Sequence, residues 1–227
     1  LLSSAKRGDI IHLADGIIRL RVEEASGGEG VRCTVLAGGT LSSGKGVNAP
    51  GVKFKVDFPT RNDLLHLSFG LRQGTDFVAA SFVRTAADLK ALRKVIGNGG
   101  PLLIAKIEKR EAVDNFDSIL GEADGVMVAR GDLGIEVPIE TVPAIHKKII
   151  GKCNDAGKPV IVATQMLVSM VNFPVPSRAE VTDVSTAILD GADAVMLSDE
   201  TTVGKYPVES VRMLDRIAKS TETSLRS

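Results

Sequence analysis

Five apolar runs set the main constraint on this chain: Asp76–Phe82, Leu102–Glu108, Asp124–Ala129, Pro159–Gln165 and Ala192–Ser198. They are rich in Val, Ile, Leu and Ala, they do not alternate with polar residues, and each leads into a polar or charged residue. Continuous runs of this kind predict parallel strands buried on both faces by helices. At their C-terminal ends stand Ser81, Lys106, Glu108, Asp132, Thr164, Gln165, Ser198 and Glu200. In a β/α barrel that edge carries the active site, because the loops leaving it converge on one mouth.

The segments between the runs have helical spacing. Arg61–Gln73 places Leu64, Leu67, Phe69 and Leu71 before a stop at Gly74; Ala86–Ile96 places Leu89, Leu92, Val95 and Ile96 on one face. Ala112–Leu120, Val142–Asn154, Ala179–Leu189 and Val208–Ser220 are the later expected helices, and Asp155-Ala156-Gly157 is a helix stop. Strand–helix alternation with short connections implies a right-handed parallel sheet. Five units are too few to close an eight-stranded barrel. Either the other strands lie on sequence outside this chain, or the sheet is open and doubly wound. No glycine-rich turn follows the first strand, which weakens a dinucleotide-binding open sheet. The favoured fold is α/β, an incomplete (β/α)8 barrel.

Residues 1–57 have a different texture and are read as a partial antiparallel β-unit, with 58–227 as the barrel part. Leu1–Asp9 enters a strand pattern at once; Ile10–Leu13, Ile17–Glu23 and Val31–Leu36 are short strands. Ala14-Asp15-Gly16 and Ser26-Gly27-Gly28 separate them as turns. Gly38-Gly39 and Pro50-Gly51 mark a return toward the second body. Because Leu1 is not Met, the chain reads as the interior of a longer protein.

Composition bounds the partners. Lys plus Arg and Asp plus Glu are 28 each, so no global field selects nucleic acid or an acidic membrane. An anionic ligand must then be held by local groups. No apolar run approaches the roughly 20 residues of a membrane span, and no signal-like N-terminus is expected. Cys33 and Cys153 form no CxxC motif and read as reduced structural thiols in a reducing compartment, a disulfide or reactive thiol being the alternative.

Lys106 and Glu108 are two apart on one strand and so point to the same face. A surface ion pair is the plain reading. Asp132, at the end of the next strand, adds a second carboxylate, and the three together make a plausible divalent-cation site, since Mg²⁺ is held by few protein ligands plus water and phosphate oxygens. Val128–Glu136 sets two glycines around Asp132-Leu133, a helix start whose amides can meet an anion. The hydroxyls of Thr164 and Ser198 could relay protons or orient an anion; helix capping is the competing role for Ser198, whereas no helix starts promptly after Thr164. His146 reads as a packing residue, and His12 and His66 have no partners at metal spacing.

Taken together, Ala80-Ser81-Phe82-Val83-Arg84, Lys106-Ile107-Glu108, Met127–Gly134, Ala163-Thr164-Gln165-Met166-Leu167, Ser177–Val181 and Met196-Leu197-Ser198 resemble the pyruvate kinase family in order and spacing, over nearly the whole chain. Lys45-Gly46-Val47-Asn48 resembles the return strand from that family's lid into its barrel. The resemblance implies phosphoryl transfer from phosphoenolpyruvate to ADP, giving pyruvate and ATP. It assigns Lys106 to the phosphoryl group in flight, and Glu108 and Asp132 to Mg²⁺ (or Mn²⁺). It assigns the Gly131 and Asp132 amides with Thr164 to the substrate carboxylate, Ser198 and Glu200 to a hydroxyl–carboxylate network that protonates the enolate, and Lys45 to nucleotide phosphate. It further implies K⁺, with ligands mostly on sequence outside this chain, a cytoplasmic homotetramer, and inactivity of this chain alone. Val168 replaces a usually acidic residue, Asp199 a common glycine, and Lys109–Asn115 lacks a frequent one. Two other readings stay open: a metal-dependent oxoacid aldolase or lyase barrel, which would have no use for Lys45 or an inserted β-unit, and a non-catalytic structural fragment.

Overall fold

The computed structural model describes residues 4–26, 30–52, 56–97 and 99–225. The chain is an α/β protein with one antiparallel and one parallel sheet. The antiparallel sheet has the order β3-β2-β1-β4, from β1 (Ile10–Leu13), β2 (Ile18–Ser26), β3 (Gly30–Ala37) and β4 (Val47–Asn48). The three expected strands are present. The turn between β1 and β2 is left-handed at Ala14, Asp15 and Gly16 (φ 50°, 57° and 85°). The expected early strand is not there: residues 4–9 turn, with the Lys6 amide on the Asp9 carboxylate at 2.7 Å, and pairing begins at Ile10. Leu1–Ser3 and the Gly27-Gly28 turn lie outside the described residues. β4 pairs antiparallel with β1 through His12↔Asn48 and Leu13↔Val47. Ala5, Ile11, Val22 and Ala49 form this unit's small core.

The parallel sheet runs β5 (Phe77–Ala80), β6 (Leu102–Ile107), β7 (Gly125–Ala129), β8 (Val160–Ala163) and β9 (Ala194–Met196), in sequence order. All five apolar runs therefore become strands. Around them lie α1 (Arg61–Arg72), α2 (Ala86–Ile96), α3 (Arg110–Asp114), α4 (Phe116–Glu122), α5 (Arg130–Glu136), α6 (Val142–Asp155), α7 (Arg178–Leu189), α8 (Asp199–Thr202) and α9 (Pro207–Leu225). The single helix expected over 112–120 is broken at Asn115 (ψ 14°), which ends α3 and begins α4. On α2, Leu89, Leu92 and Ile96 are buried but Val95 is exposed, so the inward stripe is narrower than the spacing implied. Capping boxes start α1 (Thr60 with Asp63) and α7 (Ser177 with Glu180).

Alternation divides the sheet into two unlike faces. Leu103, Ala105, Ile107, Val126, Val128, Val160 and Val162 face the helices and join Leu89, Ile119, Ile149 and Val184 in one core. On the other face Ile104, Met127 and Ala163 form a separate cluster with Ile161 beside them. Toward the sheet edges that face opens: Phe77 is 58% and Leu102 48% exposed. Helices thus cover one face, not both; only β7, at the centre, is buried along its whole length. Gly125 permits the close approach of β7 to its neighbours, since a Cβ there would meet Ile104 Cδ1 at 2.8 Å and the Pro159 oxygen at 3.1 Å.

The N-terminal edge of the sheet is stitched by carboxylates. Asp124 accepts the Leu103 amide at 2.7 Å and the Arg93 guanidinium at 2.6 Å; Asp193 accepts the Val160 amide at 2.8 Å. Burial pushes the Asp124 carboxyl up, but the Leu103 amide and Arg93 outweigh it and hold its titration below the usual Asp value. Both cysteines are free thiols. Burial raises Cys153 to about 12, and burial with the nearby Glu23 raises Cys33, so neither is activated.

Candidate active site

At the C-terminal end of β6, Lys106 Nζ lies 2.6 Å from Glu108 Oε1 and donates to Ser81 Oγ at 2.8 Å. The alternation expected from sequence does place both side chains together. Glu108 is 1% exposed, so its charge depends on partners; its other oxygen accepts the Phe82 amide at 2.6 Å. Phe82 has φ 56°, a left-handed conformation that is uncommon for a bulky residue and persists because the surroundings impose it. Beside it Lys109 lies 5.8 Å from the Phe82 ring centroid and forms a 2.6 Å ion pair with Glu136 of α5, well shielded from water.

A second cluster forms where β7 and β8 end. Thr164 has φ 71° and Gln165 φ 55°. A β-branched residue there costs on the order of 1–3 kcal/mol, so the turn must be held from outside. The Thr164 hydroxyl accepts the Gly131 amide at 2.8 Å and donates to the Ala163 carbonyl at 2.5 Å. Arg130 donates to the Thr164 carbonyl at 2.9 Å and to Asp183 at 2.7 Å. From the far side Glu200, 1% exposed, accepts the Leu167 amide at 2.9 Å and the Ser198 amide at 2.8 Å. Thr164 with Gly131, Lys106 with Glu108, and Ser198 with Glu200 are thus brought into contact. The last contact runs through the Ser198 amide and not its hydroxyl. Ser198 begins α8, yet its side chain makes no capping bond.

Asp132 sits in the first turn of α5, and its Oδ1 accepts from Asn48 Nδ2 at 3.2 Å. Asn48 comes from β4, so the antiparallel unit reaches the candidate site through this buried amide. Glu108 and Asp132 hydrogen-bond to different partners. Among the described residues no group of three or more His, Cys, Asp or Glu side chains suits a metal ion, so any cation would take few protein ligands. Lys45 is exposed on the loop before β4, and among the described residues no hydrogen bond or ion pair joins it to the other candidates. His146 is buried in α6 as expected; burial and the nearby Arg130 lower its pKa, and its Nε2 has no partner among the described residues.

Arg130 and Asn48 were not singled out from sequence as site residues. Arg130 adjoins Gly131-Asp132, which is a usable signal; nothing in the sequence distinguishes Asn48 from an ordinary strand-end amide. The cleft of about 910 Å³ beside the β5 edge does not coincide with the candidates. It is lined by Val56, Phe58, Leu67, Phe77 and Ala79 and reaches Ser81 and Phe82, but not Lys106, Asp132 or Thr164.

One family model, described as pyruvate kinase, barrel domain, matches residues 1–211. Similar curated proteins include the pyruvate kinases of Sporosarcina psychrophila (50% identical over 99% of this chain and 39% of that protein) and Thermococcus litoralis (51%, over 95% and 46%). That of Dictyostelium discoideum is 47% identical over 98% of this chain and 44% of its own length. The chain belongs to the pyruvate kinase family. It spans about two-fifths to a half of the length of these relatives.

Proposed function

We propose that this chain supplies the phosphoryl-transfer site of a pyruvate kinase, which moves a phosphoryl group from phosphoenolpyruvate to ADP and yields pyruvate and ATP. The observation that carries the reading is Lys106: a half-sheltered ammonium, fixed by Glu108 and Ser81 at a strand end, in a chain of this family. Phosphoryl transfer asks for positioning and positive charge more than for covalent help. An ammonium held this way is pre-oriented toward charge that develops during transfer. Thr164 and the Gly131 and Asp132 amides are assigned to the substrate carboxylate, a role supported by their nearness, Thr164 lying against Gly131; to meet the carboxylate the Gly131 amide would leave the Thr164 hydroxyl. Ser198 and Glu200 are assigned to the region where the enolate is protonated, with Glu200 fixing the two adjoining turns. Lys45 is assigned to nucleotide phosphate.

Glu108 and Asp132 would hold the divalent ion, Mg²⁺ or Mn²⁺. Their oxygens are the hard donors such an ion takes; Glu108 keeps the Phe82 amide on its other oxygen, and Asn48 is a side chain that can turn away from Asp132. When bound, the ion neutralises phosphate charge. K⁺ belongs to the same reading, with ligands mostly outside this chain.

The finer architecture is part of the proposal. Residues 58–227 are read as strands 4–8 of a (β/α)8 barrel, and 1–57 as part of a nucleotide-facing lid. The support is the sheet face that lacks helices: Phe77, Leu102 and Met196 stay exposed where further strands would cover them. A homotetramer and a cytoplasmic setting complete the reading, the latter supported by two free thiols. Among the described residues no helix is long and apolar enough to cross a membrane.

The test uses the native protein that carries this chain. It should form pyruvate from phosphoenolpyruvate only when ADP is present. Asp132→Asn should weaken Mn²⁺ binding at least about tenfold, on the scale of lost metal-site contacts. Unchanged affinity would remove Asp132 from the cation site.

A further inference from the structure

Thr164 and Gln165 are two consecutive non-glycine residues in the left-handed region, at φ 71° and 55°. Such a turn does not hold itself. Arg130 grips it: one guanidinium nitrogen donates to the Thr164 carbonyl at 2.9 Å and to Met166 Sδ at 2.8 Å, while the other donates to Asp183 Oδ1 at 2.7 Å. The Arg130 side chain is only 12% exposed, and its Nε is buried without a partner among the described residues. Leaving that donor unmet is costly, so the side chain is placed for its two terminal nitrogens. Those nitrogens span three elements: α5, the turn after β8, and α7.

We propose that Arg130 is a positioning residue for the reaction: braced by Asp183, its guanidinium fixes the left-handed Thr164–Gln165 turn and so keeps Thr164 beside Gly131, its hydroxyl on the Gly131 amide until substrate takes that amide. The role rests on the assignment of Thr164 and Gly131 to substrate binding made above. Arg130 adjoins Gly131 in sequence, so one short segment supplies both the amide that meets Thr164 and the clamp that orients it. A lysine cannot replace it. One ammonium cannot serve Asp183 and the Thr164 carbonyl from two separated, coplanar nitrogens.

Arg130→Met and Arg130→Lys should each lower kcat/KM for phosphoenolpyruvate about ten- to hundredfold, as loss of a supporting contact does. KM for ADP should change less than about threefold, because the nucleotide is held by other groups. Adding Gln165→Gly to Arg130→Met should restore several-fold of the loss, since glycine adopts φ near 55° without penalty. The Gly131 amide should exchange with solvent at least about tenfold faster in Arg130→Met, whatever reaction the protein catalyses. Should Arg130→Met fail to fold, Asp183→Asn keeps the guanidinium, removes its charged brace, and is read by the same measurements with smaller changes expected. If the parent protein makes no pyruvate, the functional reading fails while the exchange measurement still judges the clamp. A lowered melting temperature with unchanged kcat/KM and a protected Gly131 amide would overturn the proposal, as would an Arg130→Met defect that Gln165→Gly leaves untouched.

Discussion

The two edges of the parallel sheet use the same bond to different ends. At the N-terminal edge Asp124 and Asp193 accept amides of strand residues, Leu103 and Val160, that pairing has already set in register. At the C-terminal edge Glu108 and Glu200 also accept amides, but those belong to turns, at Phe82, Leu167 and Ser198. Three of the five described non-glycine residues with positive φ, Phe82, Thr164 and Gln165, lie at this second edge, and none lies at the first. A carboxylate on a strand amide adds stability to a shape the ladder already dictates. A carboxylate on a turn amide imposes a shape the backbone would not choose, and strain kept in this way marks a site.

If that contrast is right, substitutions at the two edges should separate function from stability. The largest effect belongs to Lys106→Met in the native protein. It should reduce phosphoryl transfer about 10²–10³-fold, the size of one lost charge-stabilising group, with far less change in phosphoenolpyruvate affinity. Steady-state kinetics beside direct ligand binding measures both; equal losses would mean a structural lysine and erase the distinction between the edges.

Next comes Asp124→Ala at the N-terminal edge. It strands the Leu103 amide, on a residue with 0% exposure, and should cost about 1–3 kcal/mol of stability with kcat unchanged. The pH dependence has a definite sign. A carboxyl held below its unfolded value of 3.8 contributes stability that is fully present above that pH and is lost as the pH falls through the folded value. Acid unfolding of the variant should therefore begin from a lower plateau and fall less steeply below pH 3.8. A drop in kcat would show that the two edges are not separable.

The smallest expected change in stability is that of Phe77→Ser, within about 0.5 kcal/mol, because the ring is already 58% exposed. Its effect should appear instead in association. Residues 1–227 on their own are expected to self-associate through the uncovered sheet face and to be inactive, and Phe77→Ser should lower the associated fraction in light scattering. A monodisperse, active 1–227 chain would mean that five strands complete a site without further cover.

Much of this was written in local pattern. The five runs became five strands in sequence order because branched apolar residues in short segments bounded by turns have few other ways to be buried. Lys106 and Glu108 share a face because a strand alternates, and Cys153 and His146 are buried because they follow the apolar stripe of α6. What local pattern could not decide depends on neighbours far away in sequence. Whether a strand face is covered is set by which elements surround it, so Phe77 and Leu102, apolar as any core residue, stand exposed. Asn48 meets Asp132 across 84 positions, and Arg130 meets Asp183 across 53. The left-handed turn at Thr164–Gln165 is decided the same way: local preference opposes it, and only contacts from α5, α7 and α8, assembled by folding, hold it in place.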